Sequence, residues 1–211
     1  MSRCVLLAHG APDPRSSTAV RRASAQVGAR LPGHDVVAAF LDHDIPSLAE
    51  AVGGVDEHDV VVLPLLLSAA FHARVDVPAA VAGLARPVRL LDPLGHPPAV
   101  LDALLAPLDA PVVVVAAGTR VDAERAAFAD AVADAGARTA TTAVAAFATG
   151  PGPSVPDALV PDAVVLPWLL APGRLLDATR DDAGAHAVVG GPLLEVPAML
   201  DEVARRLAAA V

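Results

Sequence analysis

Residues 59–78 read DVVVLPLLLSAAFHARVDVP. Val60, Val61, Val62 and Leu63 form an apolar run, β-branched at its three valines, behind Asp59, the pattern of a strand buried on both faces. The run continues through Pro64 and a second apolar stretch, then meets His72, Arg74 and Asp76. A buried strand that ends on an imidazole, a guanidinium and a carboxylate raises the question of what those groups meet.

Similar runs recur on the amino side as CVLLA at 4–8 and DVVAAFL at 35–41, and on the carboxyl side as VRLLD at 88–92. Between them lie stretches of helical composition: STAVRRASAQVGARL at 17–31, SLAEAV at 47–52, PAAVAGLA at 78–85 and PPAVLDALLAPL at 97–108. Ser17 and Thr18 are placed to cap the first of these, and Leu31-Pro32-Gly33 to stop it. Asp13-Pro14-Arg15 reads as a loop after strand one. Strands alternating with helices predict the α/β class, with a mostly parallel sheet covered on both faces.

The pattern then repeats. VVVVAAGTR at 112–120 echoes VLLAHGAPD at 5–13, and AAFATGPGPSVPDAL at 145–159 echoes AAFLDHDIPSLAEAV at 38–52. DAVVLPWLLAPGRLLD at 162–177 echoes the opening stretch and is two residues shorter, and GPLLEVPAMLDEV at 191–203 echoes DPLGHPPAVLDAL at 92–104. Four matched blocks in one order predict two tandem α/β units, 1–108 and 109–211, joined near Pro107 to Pro111, each with about four strands.

Composition narrows the function classes. Hydrophobic residues make up 55% and aromatic ones 2%, with no Tyr, so Ala, Val and Leu must build the core and base-stacking platforms are scarce. A net charge of −9 opposes general affinity for nucleic-acid phosphates. The single cysteine, Cys4, excludes an internal disulfide and any multi-Cys zinc site, and reads as an inert core thiol. No signal peptide is visible and charged residues, His or Pro interrupt every apolar run, which predicts a soluble cytoplasmic protein with no membrane partner.

Open parallel sheets collect ligands at the carboxyl ends of their strands. In the first unit those ends carry His9, Asp42 and His72, with His43 in reserve beside Asp42. Two imidazoles and a carboxylate suit a first-row divalent ion and leave positions open for chemistry. The second unit keeps the scaffold and lacks all three: Ala117 stands for His9, Thr149 for Asp42, and His72 falls in the two-residue deletion. A polar residue present in one repeat only is hard to explain as a need of the fold. His96, at the end of strand four, can reach the same edge. Asp76, matched by Asp177, reads as an N-cap for the helix near Pro78, and Arg74 is nearly matched by Arg174. His34 and His58 lie in polar connections and are expected to be solvated; His186 carries no functional signal.

LLAHGAPDPR at 6–15, AAFLD at 38–42 and LPLLLSAAFHARVDVP at 63–78 resemble the signature of the sirohydrochlorin chelatases of the CbiX/SirB type, class II tetrapyrrole chelatases. The resemblance covers the first unit almost throughout, and the other unit is similar to the degenerate partner found in two-unit family members. It implies a lyase that inserts Fe²⁺ or Co²⁺ into sirohydrochlorin on the way to sirohaem or cobalamin, with the metal as substrate and no organic cofactor. By resemblance, His9 and His72 bind metal and accept protons. The family often has Glu where this chain has Asp42, whose shorter side chain reaches less far as a third metal contact. Arg15 and Arg74, with Arg21 or Arg22, are the expected counter-charges to the substrate's carboxylates, and Ser68 and His96 the expected further contacts. The resemblance places the substrate in a cleft between the two units.

The chemistry suits these residue types. Insertion removes two pyrrole N–H protons, and an imidazole, with an ordinary pKa of about 6.5, accepts a proton at neutral pH. A non-catalytic metal or tetrapyrrole carrier on the same fold would need the ligands but no base, and His9 with His72 is compatible with both. A two-lobed small-molecule binding module of periplasmic type would need an export signal.

Overall fold

The structure, a computed structural model, describes residues 2–53, 59–68, 72–185 and 187–211, with the side chains of His72, Ala73 and Val188 outside that description. The first repeat runs β1 (Arg3–Ala8), α1 (Pro14–Arg30), β2 (Asp35–Phe40), α2 (Leu48–Val52), β3 (Val60–Pro64), a π-helical turn (His72–Asp76), α3 (Val77–Ala82), β4 (Arg89–Leu90) and α4 (Pro98–Leu105). The second runs β5 (Val112–Ala116), α5 (Asp122–Thr139), β6 (Ala143–Phe147), α6 (Val155–Ala158), β7 (Val164–Trp168), α7 (Arg174–Ala183), β8 (Val188–Val189), a 3₁₀ turn (Leu193–Glu195) and α8 (Pro197–Ala208).

Each repeat builds one four-stranded sheet, in the orders β2-β1-β3-β4 and β6-β5-β7-β8, and every pairing is parallel. The apolar runs show why. Val5, Leu6, Leu7, Val62 and Leu63 are all buried, as are Val113, Val114, Val115 and Val165. Consecutive residues of a strand point to opposite faces, so a continuous apolar run demands cover on both. Cys4 is buried in β1, and burial followed by the nearby Asp35 charge pushes its thiol up to about 11. It stays protonated and inert at neutral pH, as its position suggested.

The compact units do not coincide with the sequence repeats. One comprises residues 1–95 with 199–211, the other 96–198. The last helix of each repeat has therefore changed places. Within the second unit, α4 packs against α5, and Asp102 meets Arg138 at 2.7 Å. Within the first, Asp201 of α8 meets Arg30 at the end of α1, also at 2.7 Å. Asp102 and Asp201 match in the repeat, as do Arg138 and Arg30, so one ion pair is made twice. α8 buries Met199, Leu200, Val203 and Leu207. Its Glu202 is also buried; hydrogen bonds from Arg205, then from Arg206, hold the carboxyl below its usual range although burial pushes the other way. Arg206 donates onward to the carbonyls of Pro93 and Leu94, both at 2.8 Å.

Three local expectations are corrected. α1 starts at Pro14 rather than near Ser17, because Asp13 accepts from the Arg15 N–H at 3.0 Å as N-cap and Pro14 takes the first turn. Asp13-Pro14-Arg15 is therefore the head of a helix, not a loop. Asp76 holds the N-cap position of α3 without making a side-chain cap bond, since the π turn brings the backbone in already helical. Among the described residues, no helix is long and apolar enough to cross a membrane.

Candidate functional site

The β1–β2 ladder runs past the ends of both strands. The Leu41 N–H donates to the Ala8 carbonyl at 3.0 Å, and the Asp42 N–H to the His9 carbonyl at 2.9 Å. His9 and Asp42 are thus neighbours at one carboxyl edge. Gly10 makes this approach possible. It has φ +91°, and a Cβ there would lie 1.8 Å from the Asp42 carbonyl oxygen. A side chain would fail on both counts. His9 is half-buried, with Nδ1 3.2 Å from the Gly10 carbonyl oxygen.

Asp42 is 64% exposed at its side chain and turns toward the next residue. Its Oδ1 accepts from the His43 N–H at 2.8 Å, and its Oδ2 lies 3.4 Å from His43 Nε2. Asp44 points elsewhere, toward the Ala11 N–H at 3.5 Å and Arg21 at 3.8 Å. Arg21 pins the loop: it donates to the Ile45 carbonyl at 2.8 Å and lies over the Phe40 ring at 5.1 Å.

β3 leaves the sheet beside β1, where the Leu65 N–H donates to the Leu7 carbonyl at 2.8 Å. Ser68 follows in a half-buried bend. Phe71 lies outside the described residues. The backbone of His72 opens the π turn, which also carries Arg74, exposed, and Asp76. A π turn absorbs surplus residues at a helix start, and such turns are frequent at functional sites. The chain thus sets the backbones of His9 and Asp42 side by side, and the backbone of His72 follows later in the chain than β3. Among the described residues, no group of three or more His, Cys, Asp or Glu is arranged to hold a metal; the His72 side chain lies outside them.

The other expected residues are distributed differently. Arg15 pairs with Asp13 at 2.6 Å, and that guanidinium holds the Asp13 carboxyl below its usual range. His96 falls in the second compact unit, its ring 5.1 Å from Phe128 and 6.3 Å from Trp168. The indole N–H of buried Trp168 has no hydrogen-bond partner among the described residues. Nothing in the sequence pattern pointed to this aromatic group. His34 is half-buried rather than solvated, and its buried Nδ1 has no hydrogen-bond partner among the described residues. His58 and His186 lie outside the described residues. A cavity of about 410 Å³, lined by Asp59, Arg86, Arg89 and Ala210 among others, opens at the amino end of the first sheet, the end opposite His9.

The second repeat reproduces the backbone of this edge. The Ala148 N–H donates to the Ala116 carbonyl at 2.8 Å and the Thr149 N–H to the Ala117 carbonyl at 3.0 Å. Gly118 has φ +99°, and a Cβ there would lie 1.9 Å from the Thr149 carbonyl oxygen. The side chains differ. Ala117 offers no donor atom, and the Thr149 hydroxyl donates to the Ala117 carbonyl at 2.7 Å. After β7 the chain enters α7 at Arg174, directly behind Gly173, where the first repeat has its π turn.

The CbiX family model matches residues 3–109, the stretch that carries His9, Asp42 and His72. Among solved structures, CbiX, described as the terminal enzyme for biosynthesis of siroheme in denitrifying bacteria, is 24% identical with a TM-score of 0.75, and the match covers 100% of both chains. SirB from Bacillus subtilis with Fe³⁺ is 18% identical with a TM-score of 0.76, over 99% of this chain and 95% of that one. The sirohydrochlorin chelatase SirB from Bacillus subtilis subspecies spizizenii, in complex with cobalt, gives the same identity and TM-score over 99% and 94%. At these identities the likeness is one of fold. No curated protein matches.

Proposed function

The chain belongs to the CbiX family, and from that premise we propose that it is a tetrapyrrole chelatase that inserts Fe²⁺ or Co²⁺ into sirohydrochlorin, for sirohaem or cobalamin synthesis. The reaction converts one aquated divalent ion and the free-base macrocycle into the metallated macrocycle, releasing the ion's coordinated water and the two pyrrole N–H protons. One observation carries the reading. The family match falls on the repeat whose strand ends hold imidazole and carboxylate, while the other repeat keeps the same turn with Ala117 and Thr149. The active repeat is 1–108, and 109–211 is its degenerate partner.

In this reading His9 and His72 contact the metal and take the pyrrole protons, and Asp42 is the third contact. Few ligands and open positions let the ion arrive with water and leave into the ring. Arg15, Arg74, Ser68 and His96 are assigned to the substrate's carboxylates. Arg15 acts with its charge partly offset by Asp13. The metal is a substrate, no organic cofactor is needed, and the enzyme works as a soluble cytoplasmic protein.

The test is anaerobic insertion of Co²⁺ and Fe²⁺ into sirohydrochlorin, followed by absorbance. The wild type should exceed the uncatalysed rate, and His9→Ala and His72→Ala should fall to background while folding normally. A wild type that binds the macrocycle or metal without a rate above background would make the protein a carrier.

A further inference from the structure

The loop after β2 and the loop after β6 share their closing hydrogen bond and differ inside it: Ile45-Pro46 is cis in the first, and Gly152 has φ +118° in the second. The Phe40 N–H donates to the Pro46 carbonyl at 3.0 Å, and the Phe147 N–H to the Pro153 carbonyl at 2.9 Å. Both loops then start a helix on a capping box, Ser47 with Glu50 and Ser154 with Asp157. Both place a residue at positive φ just after the strand. In the second repeat that residue is Gly150, with φ +79°; in the first it is His43, with φ +63°. Glycine adopts this conformation without penalty, and a side chain does not. The first repeat thus holds an imidazole where its twin holds glycine.

The surroundings of that imidazole point to a ligand. Asp42 holds His43 by its backbone N–H at 2.8 Å, and the second carboxylate oxygen stands 3.4 Å from Nε2. Both side chains are open to solvent, at 42% for His43 and 64% for Asp42. Two donors bound at about 2.1 Å to one ion stand about 3.0 Å apart in octahedral coordination and about 3.4 Å apart in tetrahedral coordination. The present separation falls at that bite. Arg21 fixes the loop through the Ile45 carbonyl, and Asp44 is turned away to Ala11 and Arg21, which leaves His43 and Asp42 as the donors this loop presents.

We propose that His43 and Asp42 form a two-donor docking site that takes the divalent metal from solution at the rim of the His9 centre. Nitrogen with carboxylate oxygen is a donor set for first-row divalent ions. Two protein ligands leave the rest of the shell to water, so the ion is held loosely enough to pass on. The Asp42 N–H bonded to the His9 carbonyl places the pair one residue from the expected catalytic imidazole. That the ion is a substrate rests on the chelatase reading; the site itself does not.

The test is Co²⁺ binding to the full chain without tetrapyrrole, by calorimetry and by visible absorption of the bound ion, with His43→Asn and His43→Gly beside the wild type. Asn tolerates the left-handed backbone and removes the imidazole. Each variant should lose on the order of tenfold in Co²⁺ affinity and raise the metal KM more than it lowers kcat, with the sirohydrochlorin KM unmoved. His43→Gly should do this with an unchanged or higher Tm, which a structural histidine would not allow. Unchanged Co²⁺ affinity and metal KM in His43→Asn overturn the proposal and leave the chelatase reading standing. His43-dependent Co²⁺ binding by a wild type that inserts no metal does the reverse.

Discussion

The carboxyl edge of β1 and β2 and that of β5 and β6 are the same piece of backbone made twice. Each has a strand-end residue that accepts from the neighbouring strand, then a glycine at positive φ pressed against a carbonyl oxygen. One edge carries His9, Asp42 and His43; the other carries Ala117, Thr149 and Gly150. The glycines persist because the strands cannot close without them. The imidazoles and the carboxylate do not persist, so packing does not require them. An internal repeat thus separates what the fold needs from what the chemistry needs, inside a single chain.

The largest expected effect comes from ending the chain before Met199. The first unit would lose the buried side chains of Met199, Leu200, Val203 and Leu207. At roughly 1.5–3 kcal/mol each, the loss rivals the stability of a whole domain, typically about 5–15 kcal/mol. The single tryptophan, Trp168, lies in the other unit. Far-UV circular dichroism should report loss of the first unit while Trp168 keeps the emission of a buried indole. Emission shifting to that of a solvated indole would mean that the two halves do not stand as separate units.

The next effect sharpens the likeness of the two edges. Gly10→Ala and Gly118→Ala should each destabilise by at least about 1–2 kcal/mol in urea unfolding, for the backbone conformation alone, with the carbonyl overlap adding to it. The two losses should be similar, and only Gly10→Ala should also depress metal insertion. The smallest effect concerns the duplicated ion pair. Asp102→Asn and Asp201→Asn should each lower Tm slightly, the first more because Asp102 is 35% exposed and Asp201 66%. High salt should shrink both differences.

Strands, helices and the tandem repeat were legible because apolar runs and their spacing record burial directly. The pairing of His9 with Ala117, read by setting Gly10 on Gly118, and of Asp42 with Thr149, read from aligned blocks, has its physical counterpart in the same hydrogen bond on each edge. The exchange of α4 and α8 was not legible. Both helices carry the same apolar pattern and the same aspartate, so a helix lying on either sheet satisfies the sequence equally well. The two-residue surplus before Asp76 was visible, and its π geometry was not, because periodicity does not register a single wide turn. The left-handed backbone of His43 was hidden by its residue type, although its alignment with Gly150 carried the clue. The start of α1 is set by Asp13 and Pro14, a stronger signal than Ser17 and Thr18, which also have capping side chains.

The exchanged helices bear on how such a chain came to be asymmetric. A chain of half this length could lay its last helix on its own sheet or lend it to a second copy. Two such chains that traded helices would be held together by the exchange, and both protomers would carry the same edge. Joining them through the segment between α4 and β5 makes the trade intramolecular, at an effective concentration of roughly millimolar. It also frees each half to change alone. One edge can then keep its imidazoles while its twin, still needed for its helix, drifts to alanine, threonine and glycine.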